Sequence, residues 1–264
     1  MIDFENKPRY DVYDLVKLIR ILRAPGGCPW DAEQTHESIR RNFVEEVYEV
    51  VEAIDEQDSE HLREELGDVL TQVVFHAELE REAGRFELDD VADMVVRKLI
   101  YRHPHVFGDT KVSGTGEVLT NWDALKKTEK HQETAADTLR GVAKSLPALW
   151  RAEKVQKKAA KVGFDWPDAG GAMDKLGEEL CELREAVASG EGAFEELGDI
   201  LFSAVNTARH LGIDPEEALT ASTEKFIRRF DGLESEAARR GLKLEEMSLG
   251  EMDKLYEEQK RGQR

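Results

Sequence analysis

Glu45-Glu46-Val47-Tyr48-Glu49, followed by Glu64-Glu65-Leu66-Gly67-Asp68, returns later in the chain as Glu178-Glu179-Leu180-Cys181-Glu182, followed by Glu195-Glu196-Leu197-Gly198-Asp199. Each copy reads EExxE and then EELGD. Glu46 and Glu179 lie 133 positions apart, while Glu65–Glu196 and Asp68–Asp199 both lie 131 apart. Lys98 and Arg102 recur as Lys225 and Arg229 after 127 positions, and Trp30 recurs as Trp166 after 136. Loops of unequal length explain the drift. A period this long exceeds the roughly 20–50 residues of solenoid repeats. The chain therefore reads as a duplicated domain, with units at 1–132 and 147–264 joined by a linker at 133–146.

Both signatures fall on amphipathic helices. In 35–55, Phe43, Val47, Val50 and Ile54 follow helical spacing. In 60–80, Leu62, Leu66, Val69, Val73 and Ala77 do the same. Glu46 and Glu49 are three apart, as are Glu65 and Asp68, so each pair projects from one side of its helix, beside the apolar stripe. Two such helices packed antiparallel through their stripes would bring four carboxylates to one border. Converging carboxylates repel one another, and burying them unpaired is costly. A cation between them removes the problem. An oxygen-only ligand set suits a hard ion such as Mg²⁺, with Mn²⁺ as a substitute. No His or Cys joins the signatures at zinc spacing. Glu45, Glu64, Glu178 and Glu195 are expected on the solvated side or behind the cluster. A solvated acidic face is the plain alternative for one EExxE alone. Two motifs repeated in register are hard to explain that way.

The other features are consistent with an all-α protein. Expected helices lie near 11–23, 35–55, 59–83, 89–102, 119–133, 147–161, 171–188, 192–211 and 215–233, with a last helix carrying Tyr256. Pro25-Gly26-Gly27 stops the first, and Asp214-Pro215-Glu216-Glu217 starts the helix at 215. The Gly/Ser/Thr-rich stretch near 104–120 reads as a loop. The net charge of −19 argues against nucleic-acid or anionic-membrane partners. Two distant cysteines, Cys28 and Cys181, point to a reducing compartment. The acidic N-terminus lacks the apolar core of a signal peptide, and no run of about 18 apolar residues could span a bilayer. Cytoplasmic residence is expected.

EExxE followed by ExxD on paired helices resembles the MazG family, all-α nucleoside triphosphate pyrophosphohydrolases. Shared strings include Cys28-Pro29-Trp30-Asp31, Arg102-His103-Pro104-His105-Val106-Phe107, Ser145-Leu146-Pro147-Ala148-Leu149, Gly163-Phe164-Asp165-Trp166 and Ala208-Arg209-His210-Leu211-Gly212. The acidic motif alone is also similar to dimeric dUTPases and phosphoribosyl-ATP pyrophosphohydrolase; the tandem pattern is specific to MazG proper. The resemblance implies Mg²⁺-dependent conversion of nucleoside triphosphates to monophosphate and pyrophosphate. It also implies an intertwined homodimer whose bundles are completed by helices from both chains. Carried over, the metal ligands are Glu179, Glu182, Glu196 and Asp199 in the second unit, with Glu46, Glu49, Glu65 and Asp68 in the first. Lys175, Lys225 and Arg229 would face the triphosphate, with Lys98 and Arg102 their first-unit counterparts.

Lys225 and Arg229 share a helix face and could both reach phosphate oxygens; an ordinary basic face late in a helix is the other reading. Asn206 lies seven residues past Asp199, about 10 Å along the same face. It could contact a ribose or base, or sit at a helix surface or interface. Trp166, Trp30 and Tyr256 are candidate base-stacking or covering rings, or simply core aromatics. The first unit has Phe75 where the second has Asn206, and Asn42 where it has Lys175. The second unit is therefore expected to carry the main activity. A nucleotide- or metal-sensing dimer without turnover is the alternative. A redox carboxylate-bridged bundle fits poorly, because the one Glu-x-x-His, Glu33 to His36, lies outside the repeat.

Overall fold

The computed structural model describes residues 4–129 and 132–262, and among them there is no strand. The chain divides into two compact units, up to Leu125 and from Lys126. In the first, α1 (Val12–Arg23), α2 (Pro29–Glu33), α3 (His36–Asp55), α4 (Ser59–Glu82), α5 (Leu88–Arg102) and α6 (Pro104–Phe107) precede α7 (Thr115–Glu129), which runs across the division. The second contains α8 (Ala135–Arg140), α9 (Ala148–Ala160), α10 (Ala169–Ser189), α11 (Ala193–Leu211), α12 (Pro215–Arg239), a 3-10 turn at Leu244–Glu246 and α13 (Leu249–Gly262).

Each unit is organised around one acidic hairpin. In the first, α3 and α4 pack together across a three-residue connection. Gln57 takes a left-handed turn (φ 58°), and Asp58 then caps α4 by accepting from the backbone amides of Glu60 and His61. In the second, α10 and α11 turn through Gly190 and Gly192, both at φ 81°, a conformation glycine adopts without strain. Val16 and Ile19 of α1, Ile39 of α3 and Val74 and Phe75 of α4 form the first core. Leu233, Ala237 and Leu255 form a smaller core between α12 and α13.

The apolar stripes are only partly covered within each hairpin. Val47, Ile54 and Leu66 remain exposed in the first unit, as do Leu180, Leu197 and Leu201 in the second, while Phe194 is 95% accessible. The stripes thus keep an apolar side that the hairpins themselves leave uncovered.

Several elements differ from the sequence expectation. The segment near 104–120 is not one loop. Pro104 opens α6 from the first helical position, and α7 already begins at Thr115. The Glu117 carboxylate accepts from both the backbone amide and the hydroxyl of Ser113, so the polar residues there start a helix. The helix expected to run to 133 is described as far as Glu129; residues 130 and 131 lie outside the described residues. The expected linker at 133–146 holds α8, begun by a Thr134–Asp137 capping box and packed on α9.

Asp214 fastens the start of α12 to α9. It accepts from the backbone amides of Glu216 and Glu217 and from Trp150 Nε1 at 2.9 Å. Burial pushes its carboxyl up, but the bonds from Trp150, Glu217 and Glu216 outweigh this and hold it below the usual carboxylate range. Its stabilisation is therefore present above the ordinary Asp pKa and is lost as pH falls through the lower folded value. Replacing Asp214 by Ala removes a cap worth about 1 kcal/mol and leaves the indole N–H unpaired at about 1–3 kcal/mol. Urea unfolding at pH 7 should show a loss of roughly 2–4 kcal/mol in total, shrinking towards zero in the most acidic buffers. A constant difference across pH would contradict the assignment.

Candidate active site

The hairpin geometry brings carboxylates together in both units. In the second, one oxygen each from Glu179, Glu196 and Asp199 lie within 4.8 Å of one another. In the first, Glu46, Glu49 and Glu65 do so. The membership differs. The second cluster takes one glutamate from EExxE and both acids of the following motif; the first takes two and one. The fourth acids are adjacent. Glu182 abuts Glu179, which, with burial, pushes its carboxyl up. Asp68 adds to the upward push on Glu46, after burial and Glu49. Burial and then Glu49 push Glu65 up. These carboxylates are held closer than their charges favour.

Oxygens around a six-coordinate ion of about 2.1 Å bond length are roughly 3–4 Å apart. The 4.8 Å groups, made wholly of carboxylate oxygens, fit such an ion with little adjustment. Lys175 supplies a local cation in the second unit: its Nζ lies 2.8 Å from Glu178 and 2.9 Å from Glu179. Those two carboxylates push the Lys175 ammonium pKa up. It spans an outer glutamate and a cluster member. Glu45 is exposed and paired with Arg41.

A cavity of about 520 Å³ opens from the second cluster, within the range of small-molecule sites. Lys175, Glu179 and Asp199 line it together with Gln156, Ser203, Asn206 and Arg209, and Val155, Ala159, Phe164, Trp166 and Phe202 supply apolar wall. Trp166 is seated by Gly171 in the first turn of α10, where a Cβ would come within 2.9 Å of the indole. Charged head, half-apolar body and amide-bearing wall thus occur in one space.

Four polar lining residues carry no site role in the sequence reading. Gln156 is buried on α9 and donates through Nε2 to the Phe202 carbonyl at 2.8 Å. Its Oε1 is buried and has no partner among the described residues. Asp165, Arg209 and Ser203 also contribute. Arg209 lies three residues past Asn206, a spacing that signals contact on a helix. Asp165 and Arg209 stand in the shared strings Gly163-Phe164-Asp165-Trp166 and Ala208-Arg209-His210-Leu211-Gly212, which gave them no role, and nothing in the sequence marks Gln156.

Other expected residues lie elsewhere in their units. Lys225 and Arg229 are on α12 and are not part of the cavity wall. Tyr256 is on α13, 5.9 Å from the Phe226 ring and against the Leu233–Leu255 core. In the first unit Arg102 is buried beside Trp122, its guanidinium 5.3 Å from the ring centre, whereas Lys98 lies on α5 among exposed positions. Trp30 is 60% exposed on α2. Phe75 is in the first core, with Arg23 stacked 5.1 Å over its ring.

The MazG nucleotide pyrophosphohydrolase domain model matches residues 34–107 and 171–232, one segment over each acidic hairpin. The chain belongs to the MazG family. It is 45% identical over 249 residues to the nucleoside triphosphate pyrophosphohydrolase/pyrophosphatase MazG of Thermotoga maritima, covering 94% of this chain and 95% of that one. It is 44% identical to the nucleoside triphosphate pyrophosphohydrolase of Escherichia coli K12, covering 94% and 96%. The uncharacterized protein YabN of Bacillus subtilis is 48% identical over 98% of this chain and 54% of its own length. The MazG segments start at 34 and 171 and so take in α3–α4 and α10–α11 whole or nearly so.

Carboxylates under mutual repulsion make a metal-dependent stability sign. Without divalent ions, Glu46→Gln should raise the thermal midpoint of the first unit, because it removes one charge from the cluster. With millimolar Mg²⁺ the order should reverse, the wild type gaining more. Circular dichroism melts in chelator and in Mg²⁺ check this; equal midpoints in both conditions would contradict a cation site.

Proposed function

We propose that the protein hydrolyses nucleoside triphosphates to nucleoside monophosphate and pyrophosphate, with Mg²⁺ as cofactor and Mn²⁺ as a substitute. The observation that carries this reading is the continuity of the Glu179–Glu196–Asp199 cluster with a cavity of nucleoside-like character. Glu182 completes the carboxylate set. A divalent ion held there would neutralise phosphate charge and lower the pKa of a bound water. A carboxylate at the cluster's edge would be placed to take a proton from an attacking water. Lys175, already at the mouth of the cluster, exchanges its carboxylate partners for phosphate oxygens. Lys225 and Arg229 are proposed as further phosphate contacts. Trp166 offers its face to the base, and Tyr256 is proposed as a cover.

The two repeats, 1–132 and 147–264, are proposed as two MazG-like units of unequal task. The second holds the main catalytic site. The first has converging acids, with Lys98 and Arg102 as its proposed phosphate contacts, yet buries Phe75 at the position of Asn206. That substitution favours a weaker or regulatory first site. We also propose a homodimer, because the exposed halves of the apolar stripes call for partner helices. Residence in the cytoplasm is supported by two free cysteines; among the described residues no helix is long and apolar enough to cross a membrane. The biological setting proposed is nucleotide-pool housecleaning or regulation.

Product analysis on a panel of triphosphates with Mg²⁺ tests the reading, comparing wild type with Glu46→Gln and Glu179→Gln. Monophosphate plus pyrophosphate, reduced at least about 100-fold only in Glu179→Gln, is the expected result. Loss confined to Glu46→Gln would reverse the assignment of units. Tight nucleotide binding without any product would favour a sensing dimer.

A further inference from the structure

Asn206 lines the cavity from α11. A chain of side-chain contacts fixes which way its amide faces. Arg209 donates to Asn206 Oδ1 from Nε at 3.1 Å and from Nη2 at 2.7 Å. A guanidinium only donates, so the atom it holds must be the amide oxygen. The guanidinium is itself held by Asp165. Arg209 Nη1 donates to Asp165 Oδ2 at 2.9 Å, and Nη2 bonds Oδ1. This two-point fork fixes a plane as well as a charge, and the bonded guanidinium holds the Asp165 carboxyl below its usual range. His210 Nε2 adds a contact to the same Asp165 oxygen at 3.1 Å. The Arg209 side chain is 11% accessible and that of Asp165 24%.

With Oδ1 occupied, Asn206 Nδ2 is left as a donor without a partner among the described residues. One helical turn away, the carbonyl that accepts from Gln156 belongs to Phe202, four residues before Asn206. Through that bond Gln156 packs behind the Asn206 wall, its unpartnered Oε1 shut off from the cavity. The Asn206 N–H is therefore the donor this wall offers, and it complements a ligand acceptor. An acceptor is present on the Watson–Crick edge of each common nucleobase.

We infer that Asp165 and Arg209 are positioning residues that lock Asn206 as a donor to the nucleobase, so that the second unit recognises the base edge and not the triphosphate alone. The inference rests on the proposed nucleotide reading of this cavity. A loop residue outside the catalytic hairpin thereby sets substrate recognition within it. Because every base edge offers an acceptor, the device grips a base without choosing among them.

The test is a double-mutant cycle on the full chain with Mg²⁺, using ATP, CTP and ribose 5-triphosphate. Asn206→Leu should raise KM for ATP and CTP about 10–100-fold while changing kcat less than about threefold. Asp165→Asn should raise KM for both in the same direction by a smaller factor. The Asp165→Asn/Asn206→Leu double variant should be no worse than Asn206→Leu, because Asp165 acts through Asn206. Arg209→Lys should recover part of what Arg209→Met loses. The ratio of kcat/KM for ATP to that for ribose 5-triphosphate should fall at least about tenfold in Asn206→Leu. Additive losses in the cycle, a lowered kcat at constant KM, or an unchanged ratio would each overturn the inference while leaving the hydrolase reading intact. A folded wild type that neither binds nor hydrolyses any triphosphate would overturn both.

Discussion

Mutual repulsion among carboxylates is the constraint around which each unit is built. A helix hairpin can force acids from two helices into a space where they would not gather freely, provided that its stripes and turn hold it closed. Here Asp58 and Gln57 close one turn, and a pair of left-handed glycines closes the other. Burial and then the neighbouring carboxylates push Glu46 and Glu65 up, and Glu179 and burial push Glu182 up. Such an arrangement is unfavourable without a cation and favourable with one. Stability, metal affinity and the chemistry proposed for the site therefore draw on the same electrostatic source.

Duplication supplies the hairpin twice, and the divergence of its surroundings is the basis for the unequal roles proposed. At the position two turns beyond the acidic motif, one unit has Phe75 packed into its core under Arg23, while the other has Asn206 held by Arg209. Both are arginine contacts to the same place on the helix. In one the contact is cation to ring, which seals an apolar interior. In the other it is guanidinium to amide oxygen, which leaves an N–H for a ligand. On the proposed reading, a single substitution in that position changes a packing site into a recognition site.

Much of this was legible in the residues. Three-residue spacing of Glu46–Glu49, Glu65–Asp68 and their second copies places acids on one helical side, because helical geometry alone determines that. The long helices follow from their stripes, and Asp214-Pro215 marks a helix start in both sequence and structure. Short elements were not legible. α6, α8 and the beginning of α7 depend on individual caps such as Thr134 and Ser113, which look like loop composition when read as a string. Nor was the cavity wall. Gln156 meets α11 across 46 positions and Asp165 meets Arg209 across 44, and no local pattern encodes contacts of that separation. The stripes gave the helices but not their coverage, since the sequence cannot say whether Leu197 faces its own hairpin or another chain.

Each acidic hairpin is proposed to hold a divalent cation through its own carboxylates. Counting bound Mn²⁺ by electron paramagnetic resonance on wild type, Glu46→Gln and Glu179→Gln decides the matter. Saturable binding to both units is expected in the wild type, with one class of site lost in each variant and the other retained. Binding that does not saturate, or that is the same in all three proteins, would contradict it.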